Sequence, residues 1–341
     1  MIRHLYNVGD VEAMIRGGSC LLLAGDERIL RELPRGKWIA GTIPYFMADA
    51  GGVVDRQHIF VNELPEGLQC AGVRCYSEKD IDRVYSDIPA NEFGVLIAPA
   101  GSKVHLAFAT KAPSSPRFAS RPLIGWIAGV HLSDLATATP SVFDGTSGEV
   151  MDQRAVVMHV SLPRGKVAEV GILNIFTAGD GSAITFPSTG FSCTDAEIDG
   201  CKENLARFVQ ETGLDTRLPL VADYRGAAIN VSFQAVDQAK GEVRFFAPVF
   251  AGVRYRHARP ISSYVEAFLS ALPEGLDERI VFSCNCILNY LHSGLEGRTT
   301  GGIVGPITFG EVAYQLVNQT MAYVTIEDAR RSGRSKVWLS S

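Results

Sequence analysis

Short apolar runs rich in β-branched residues recur along the chain, separated by polar stretches with helical spacing. Candidate strands cover residues 20–24, 38–42, 58–61, 68–73, 93–98, 123–130, 155–160, 167–175, 228–233, 243–250, 279–283 and 321–326. Several are apolar without alternation, a pattern that predicts strands buried on both faces within a covered sheet. Helix starts are marked by capping boxes, in which a Ser or Thr and an acidic residue three positions on satisfy each other's backbone N–H groups. Ser263 with Glu266 predicts a helix to about Leu272, and Thr308 with Glu311 predicts one to about Val317. Ser77 with Asp80 precedes a helix to about Tyr85. Asp199 precedes one that carries Leu205, Phe208 and Val209 on an apolar face and stops at Gly213.

Strands alternating with helices predict an α/β architecture, here mixed α+β, in two lobes that each pack helices on a mixed sheet. Residues 111–122 and 212–219 are turn-rich breaks. The second is taken as the boundary, which gives lobes 1–212 and 213–341, the latter ending in a basic tail at 329–341 with Arg330, Arg331, Arg334 and Lys336. Trp38-Ile39-Ala40-Gly41 recurs as Trp126-Ile127-Ala128-Gly129, each closing a strand-like run. Four residues do not by themselves establish a repeat.

Composition narrows the function classes. The 341 residues fill about two domains of roughly 150, and 46% hydrophobic with 20% charged residues excludes general disorder. A formal charge of −5 without a basic stripe argues against a nucleic-acid partner. No apolar run reaches the roughly 18 to 20 residues that span a bilayer, and the start lacks a signal-peptide pattern, so the expectation is a cytoplasmic protein with no membrane partner. Seven scattered cysteines do not read as a secreted disulfide framework. There is no phosphate-binding loop, nucleophile elbow or zinc-protease motif, and the glycines at 179–181 and 301–305 do not form a dinucleotide fingerprint. No cofactor and no metal is therefore expected.

The richest chemistry lies near the end of the chain. Cys284 and Cys286 follow an apolar strand, and His292 is the nearest histidine. As nucleophiles they would make the protein a cysteine-dependent hydrolase or transferase; otherwise they are buried thiols, since free Cys is among the most buried residue types. A lone C-x-C lacks the further ligands of a closed metal site. Asn285, Asn289 and Tyr290 stand just past the strand, where polar residues line a pocket or satisfy loop backbone. Thr42, Tyr45 and the run His131-Leu132-Ser133-Asp134 occupy corresponding places after their own strands. The His131, Ser133 and Asp134 run superficially suggests hydrolysis, though triads are defined by spatial geometry. His159, on an apolar strand, reads as a packed core residue.

The strand ending at Cys284, the segment Gly305-Pro306-Ile307-Thr308-Phe309-Gly310-Glu311, and Asn318-Gln319-Thr320 before a last apolar strand resemble the FIST sensory domain family. Trp38-Ile39-Ala40-Gly41-Thr42 and the segment from Ala183 to Gly200 resemble that family's N-terminal half less specifically. The resemblance runs from about residue 18 to the C-terminus and is strongest over the last sixty residues. It implies an intracellular sensory domain binding a small molecule, amino-acid-like in character. Candidate ligand contacts are Thr42, Tyr45, Cys284, Asn285, Asn289, Tyr290, Thr308, Gly310 and Glu311. Because both halves are accounted for by about residue 326, the resemblance implies a free-standing sensor acting on a separate signalling protein. One departure concerns the Gly-Arg that follows the family's Cys: this chain has Asn285-Cys286-Ile287, leaving Arg298 as the candidate for that charge.

Overall fold

Leu22 and Ala24 face the central core while Leu21 and Leu23 pack with the helix Val8–Arg16, and all four are buried. The strand Glu92–Pro99 divides in the same way. Its Val95 and Ile97 join the central core, and Leu96 and Ala98 pack with Val104 and Phe108 of the helix Lys103–Lys111. Strands without alternation are thus buried on both faces, and the fold is mixed α/β. The structure, a computed structural model, describes residues 4–224 and 227–329. The cluster Arg330, Arg331, Arg334 and Lys336 lies outside the described residues. Among them, no helix is long and apolar enough to cross a membrane.

One unit, strand, helix, strand, helix and four further strands, is used three times. The first copy runs from Leu5–Tyr6 to Ile59–Glu63, the second from Gln69–Tyr76 to Ala155–Ser161, and the third from Lys166–Leu173 to Met321–Asp328. The six-stranded sheet of each copy is built around a parallel pair. The pairs are Leu21–Gly25 with Trp38–Thr42, Glu92–Pro99 with Leu123–Ala128, and Ile280–Cys286 with Gly305–Thr308.

The hairpin of each copy leaves its own sheet. The first, Tyr45–Ala48 with Gly51–Val54, pairs with Gly305–Thr308 of the third copy. The second, Val142–Asp144 with Glu149–Met151, pairs with Trp38–Thr42, and the third, Glu311–Ala313 with Gln315–Val317, pairs with Leu123–Ala128. This cyclic exchange closes three sheets around one core. There Trp126 stacks on Phe282 at 5.3 Å, together with Phe46, Ile97, Ile307 and Met321. Each such side chain contributes about 1.5–3 kcal/mol on full burial.

The echoed Trp-Ile-Ala-Gly segments lie on equivalent strands of the first and second copies, each the second member of its parallel pair. Their glycines allow close approach at the centre. A Cβ on Gly41 would stand 2.6 Å from Ile97 Cγ2 and 2.8 Å from Trp126 Nε1, and one on Gly129 would enter the Phe309 ring.

Between Lys166–Leu173 and the helix Tyr264–Ala271, the third copy carries an inserted body. Its six-stranded and three-stranded sheets enclose Phe186, Phe245 and Tyr255, with Leu205 and Val209 of the helix Leu205–Thr212. Gly213 ends that helix at φ 63°. The boundary expected between 212 and 213 therefore falls at a helix cap inside the insertion. Leu220–Tyr224, after the cap, shares a sheet with Ile184–Thr185, before it. The larger sheets also cross the expected boundary, since Lys166–Leu173 pairs with Met321–Asp328. The glycine stop and the polar turn are local signals, whereas sheet membership is decided by partners distant in sequence.

The insertion is tied to the repeat body by buried amides. Asn174 and Asn230 donate to each other's side-chain oxygens at 2.9 and 3.0 Å, and Asn230 Nδ2 also donates to Gln319 O at 3.1 Å. Ser232 Oγ donates to Gln319 Oε1 at 2.6 Å, and Gln319 Nε2 to Arg217 O at 2.9 Å.

Local capping signals fared unequally. Ser263 Oγ accepts the Glu266 N–H at 3.3 Å and opens its helix as predicted. Asn204, not Asp199, caps the helix Leu205–Thr212. The helix expected from Thr308 to Val317 is instead a hairpin turning at Tyr314, with φ 59°. Pairing of Glu311 with Trp126 and of Ala313 with Ile124 overrides the local capping pattern, and Thr308 Oγ1 donates to Gly310 O at 3.0 Å.

Candidate functional site

The parallel strands of the first two copies end side by side. Gly129 N–H donates to Thr42 O at 2.7 Å, Ile43 N–H to Gly25 O at 3.0 Å, and Ala100 N–H to Ala128 O at 3.0 Å. Beyond these ends lies an open cleft of about 70 Å³, lined in part by Asp26, Thr42, Arg56, Gly129, His131 and Asp134. Chain crossing at the ends of parallel strands leaves such crevices, and ligands commonly bind in them.

The charges of the cleft are organised by Arg56. Its Nε donates to Asp26 Oδ2 at 2.8 Å and its Nη1 to Asp134 Oδ2 at 2.9 Å, while the side chain stays about half-exposed. Asp26 is itself fixed, because Oδ1 accepts the Arg28 N–H at the start of a short helix. Ser133 Oγ donates to Asp134 Oδ1 at 2.8 Å, and that bond, with the Arg56 guanidinium, holds the Asp134 carboxyl below the usual range. His131 Nδ1 lies 2.7 Å from Ser133 Oγ, and its ring stacks on Tyr45 at 5.5 Å. Tyr45 OH accepts the Leu132 N–H at 3.1 Å, and Tyr290 meets the Tyr45 ring edge-on at 5.7 Å. The cleft thus presents one guanidinium between two carboxylates, with an aromatic pair behind its wall.

The family pattern matches residues 6–327, nearly the whole chain. The protein belongs to DUF6976, a family of unknown function. No curated protein and no solved structure matches it.

In this DUF6976 protein the residues singled out from sequence separate into two places. Thr42 lines the cleft, and Tyr45 and Tyr290 stand next to it. Cys284, Asn285, Asn289, Thr308 and Glu311 are buried in the interior of the third copy. The cavity beside Cys284 and Asn285 measures about 10 Å³, no more than one water requires. Arg298 is exposed.

The interior group is densely bonded. Asn285 Oδ1 accepts the Asn289 amide at 2.9 Å and the Cys286 N–H at 2.8 Å. Gly310, at φ 152°, offers its carbonyl to the Ile127 N–H at 2.8 Å. Glu311 Oε2 accepts the Thr320 hydroxyl at 2.7 Å, while Oε1 has no hydrogen-bond partner among the described residues, and burial pushes the carboxyl up to about 8. Burial also pushes the Cys284 and Cys286 thiols well up, and the nearby Glu311 adds to it. Cys284 Sγ donates to Gly125 O at 3.2 Å. His292 is exposed at the end of its helix, with Asp215 and Arg217 of the insertion as its charged neighbours. These thiols are protonated and enclosed, the opposite of the electropositive, accessible setting that activates a nucleophile.

Asp26 and Arg56 went unnoticed in the sequence. Asp26 follows an apolar strand as Thr42 does, which is a usable signal. Arg56 follows a hairpin whose strands belong to another sheet, so nothing local points to it.

Proposed function

We propose that the protein is a cytoplasmic sensory protein whose small ligand, amino-acid-like in character, seats in the cleft between Asp26, Arg56 and Asp134 and is read out by a separate signalling protein. The observation that carries this reading is Arg56 held between two carboxylates at converging strand ends. A zwitterion suits that arrangement, with its carboxylate at the guanidinium and its ammonium at Asp26 or Asp134. The cleft is small and open to solvent, which suits a small ligand of a few heavy atoms that leaves part of itself in water.

The cleft walls come from two copies of the repeat, Thr42 from the first and His131 and Asp134 from the second. A ligand touching both favours the arrangement in which they are closest. A partner then responds to the changed population, provided the ligand binds the two arrangements unequally.

Calorimetric titration of the full chain with a panel of small amino acids tests the proposal. The expected result is saturable binding of at least one, lost in Arg56→Ala with the melting temperature nearly unchanged. Absence of binding across the panel, or equal binding by Arg56→Ala, overturns it.

A further inference from the structure

The cleft is bordered by a surface loop, residues 130–140, whose two ends meet on one residue. Gly129 N–H donates to Thr42 O at 2.7 Å, Ser141 N–H to Thr42 Oγ1 at 2.9 Å, and Thr42 N–H to Ser141 O at 2.9 Å. Compact loops with joined ends are a frequent seat of function. Val130, His131, Asp134 and Ala138 of this loop line the cleft. Ser133 and residues 135–139 are exposed, Leu135 to 57%.

Between its ends the loop is bonded mainly to itself. Asp134 O accepts the N–H of Thr137 at 2.9 Å and of Ala138 at 2.8 Å, and His131 O accepts the Asp134 N–H at 2.8 Å. Among the described residues, two hydrogen bonds tie residues 131–139 to the rest of the chain. They run from Leu132 N–H to Tyr45 OH and from Arg56 Nη1 to Asp134 Oδ2, and the His131 ring stacks on Tyr45 beside them. A segment with so few outward bonds opens more readily than the core. The two carboxylates on Arg56 are also unequal. Asp26 is the less exposed and is fixed by the Arg28 N–H, whereas the other partner of Asp134, Ser133, belongs to the loop itself. A carboxylate arriving at the guanidinium therefore displaces Asp134 more easily than Asp26, and when Asp134 moves the loop moves with it.

We propose that residues 130–140 are a gate on the cleft, latched by the ion pair between Arg56 and Asp134, which parts before a ligand reaches the guanidinium. The inference rests on the cleft being the seat of the ligand. His131 and Leu132, held on Tyr45, are the pivot. With the ligand seated, its ammonium meets Asp134 in place of Arg56, and the gate closes over it. The pivot and Arg56 lie on or just after the hairpin that the first copy lends to the third, so the gate of the second copy reports on contacts among all three.

Hydrogen–deuterium exchange of the full chain, read by mass spectrometry on peptides covering 131–140, tests the latch without any ligand. Asp134→Asn is expected to speed exchange there about two- to fivefold, the range set by a partly exposed ion pair, and to leave Leu21–Gly25 and Leu123–Ala128 unchanged. Asp26→Asn keeps the cap of its short helix and is expected to leave the loop unchanged, because Asp26 is not part of it. Raising sodium chloride from about 0.05 M to about 0.5 M is expected to speed loop exchange in the unsubstituted chain and not in Asp134→Asn, since salt screens an exposed pair. Equal loop exchange in Asp134→Asn and the unsubstituted chain, or the same acceleration in Asp26→Asn, overturns the proposal. Calorimetry with the panel of small amino acids separates this inference from the reading beneath it. Faster loop exchange in Asp134→Asn with no amino acid bound supports the latch and removes the ligand, whereas saturable binding with unchanged loop exchange overturns the gate alone.

Discussion

Thr320 donates both its hydroxyl, at 2.7 Å, and its N–H, at 3.3 Å, to Oε2 of Glu311, a carboxyl with no exposed surface. Glu311 opens the strand Glu311–Ala313 and Thr320 stands just before Met321–Asp328, both in the third copy, and the carboxyl is held in the core with Oε1 unsatisfied. A charged carboxylate there is costly to bury, so the folded protein keeps it protonated up to about pH 8.

The sign of the pH dependence follows. The unfolded chain releases this proton near 4.5 and the folded chain near 8, so between those values the folded state binds more protons. Stability contributed by this group is fully present below pH 4.5, falls as pH rises through the window, by at most about 1.4 kcal/mol per unit, and levels off above it. Glu311→Gln is expected to flatten that slope and to be the more stable form at about pH 8. Urea midpoints of both proteins at about pH 6 and about pH 8 check this; parallel profiles would show that the carboxyl is not the source.

Cysteine labelling separates the sensory reading from the thiol-enzyme one. Cys201 is exposed and is expected to react first with iodoacetamide at neutral pH, whereas Cys284 and Cys286 react only on unfolding. Timed peptide mapping measures the order. Rapid alkylation of Cys284 or Cys286 in the native protein would support the hydrolase or transferase alternative.

Asn230, itself held by Asn174, ties the insertion to the repeat body through the Gln319 carbonyl. Asn230→Ala takes the amide donor from the buried Gln319 carbonyl, with an expected loss of about 1–3 kcal/mol. Equilibrium denaturation is the measurement, and a change below a few tenths would mean that water replaces the amide.

Gly125 lies inside the strand Leu123–Ala128 at φ 154°, and an added Cβ would collide with the Leu96 carbonyl of the parallel neighbour. Gly125→Ala is expected to cost more than about 3 kcal/mol, since neither backbone can move without breaking the pair. Gly72, with nothing within 4 Å of its added Cβ, is the control. Soluble yield and melting temperature of the two variants should diverge; equal values would contradict the close packing of the parallel pair.

Much of the local structure was legible in the chain. The runs at 20–24, 38–42, 93–98 and 321–326 are strands, because apolar β-branched segments bounded by turns have few other ways to bury themselves. The Ser263 cap and the Gly213 stop act where they stand, since a cap is satisfied by its own neighbours. The segment at Thr308 carries the same capping spacing and forms a hairpin, because its partner strand, Leu123–Ala128, is remote in sequence.

The site divides along the same line. Thr42 and Tyr45 were marked by position after a strand, and both stand at or beside the cleft. Cys284, Asn285, Thr308 and Glu311 occupy similar positions, yet lie inside the third copy because neighbouring strands and the exchanged hairpins cover them.

By itself the sequence determined the class of fold, the long apolar strands and the polar residues that follow them, all of which depend on neighbours along the chain. Only the tertiary structure decided the threefold repeat, the exchange of hairpins, the insertion at 174–263 and the meeting of Asp26, Arg56 and Asp134. Those features depend on which strand edges find each other, and backbone hydrogen bonding is the same at every edge until side-chain packing in three dimensions selects the pairing.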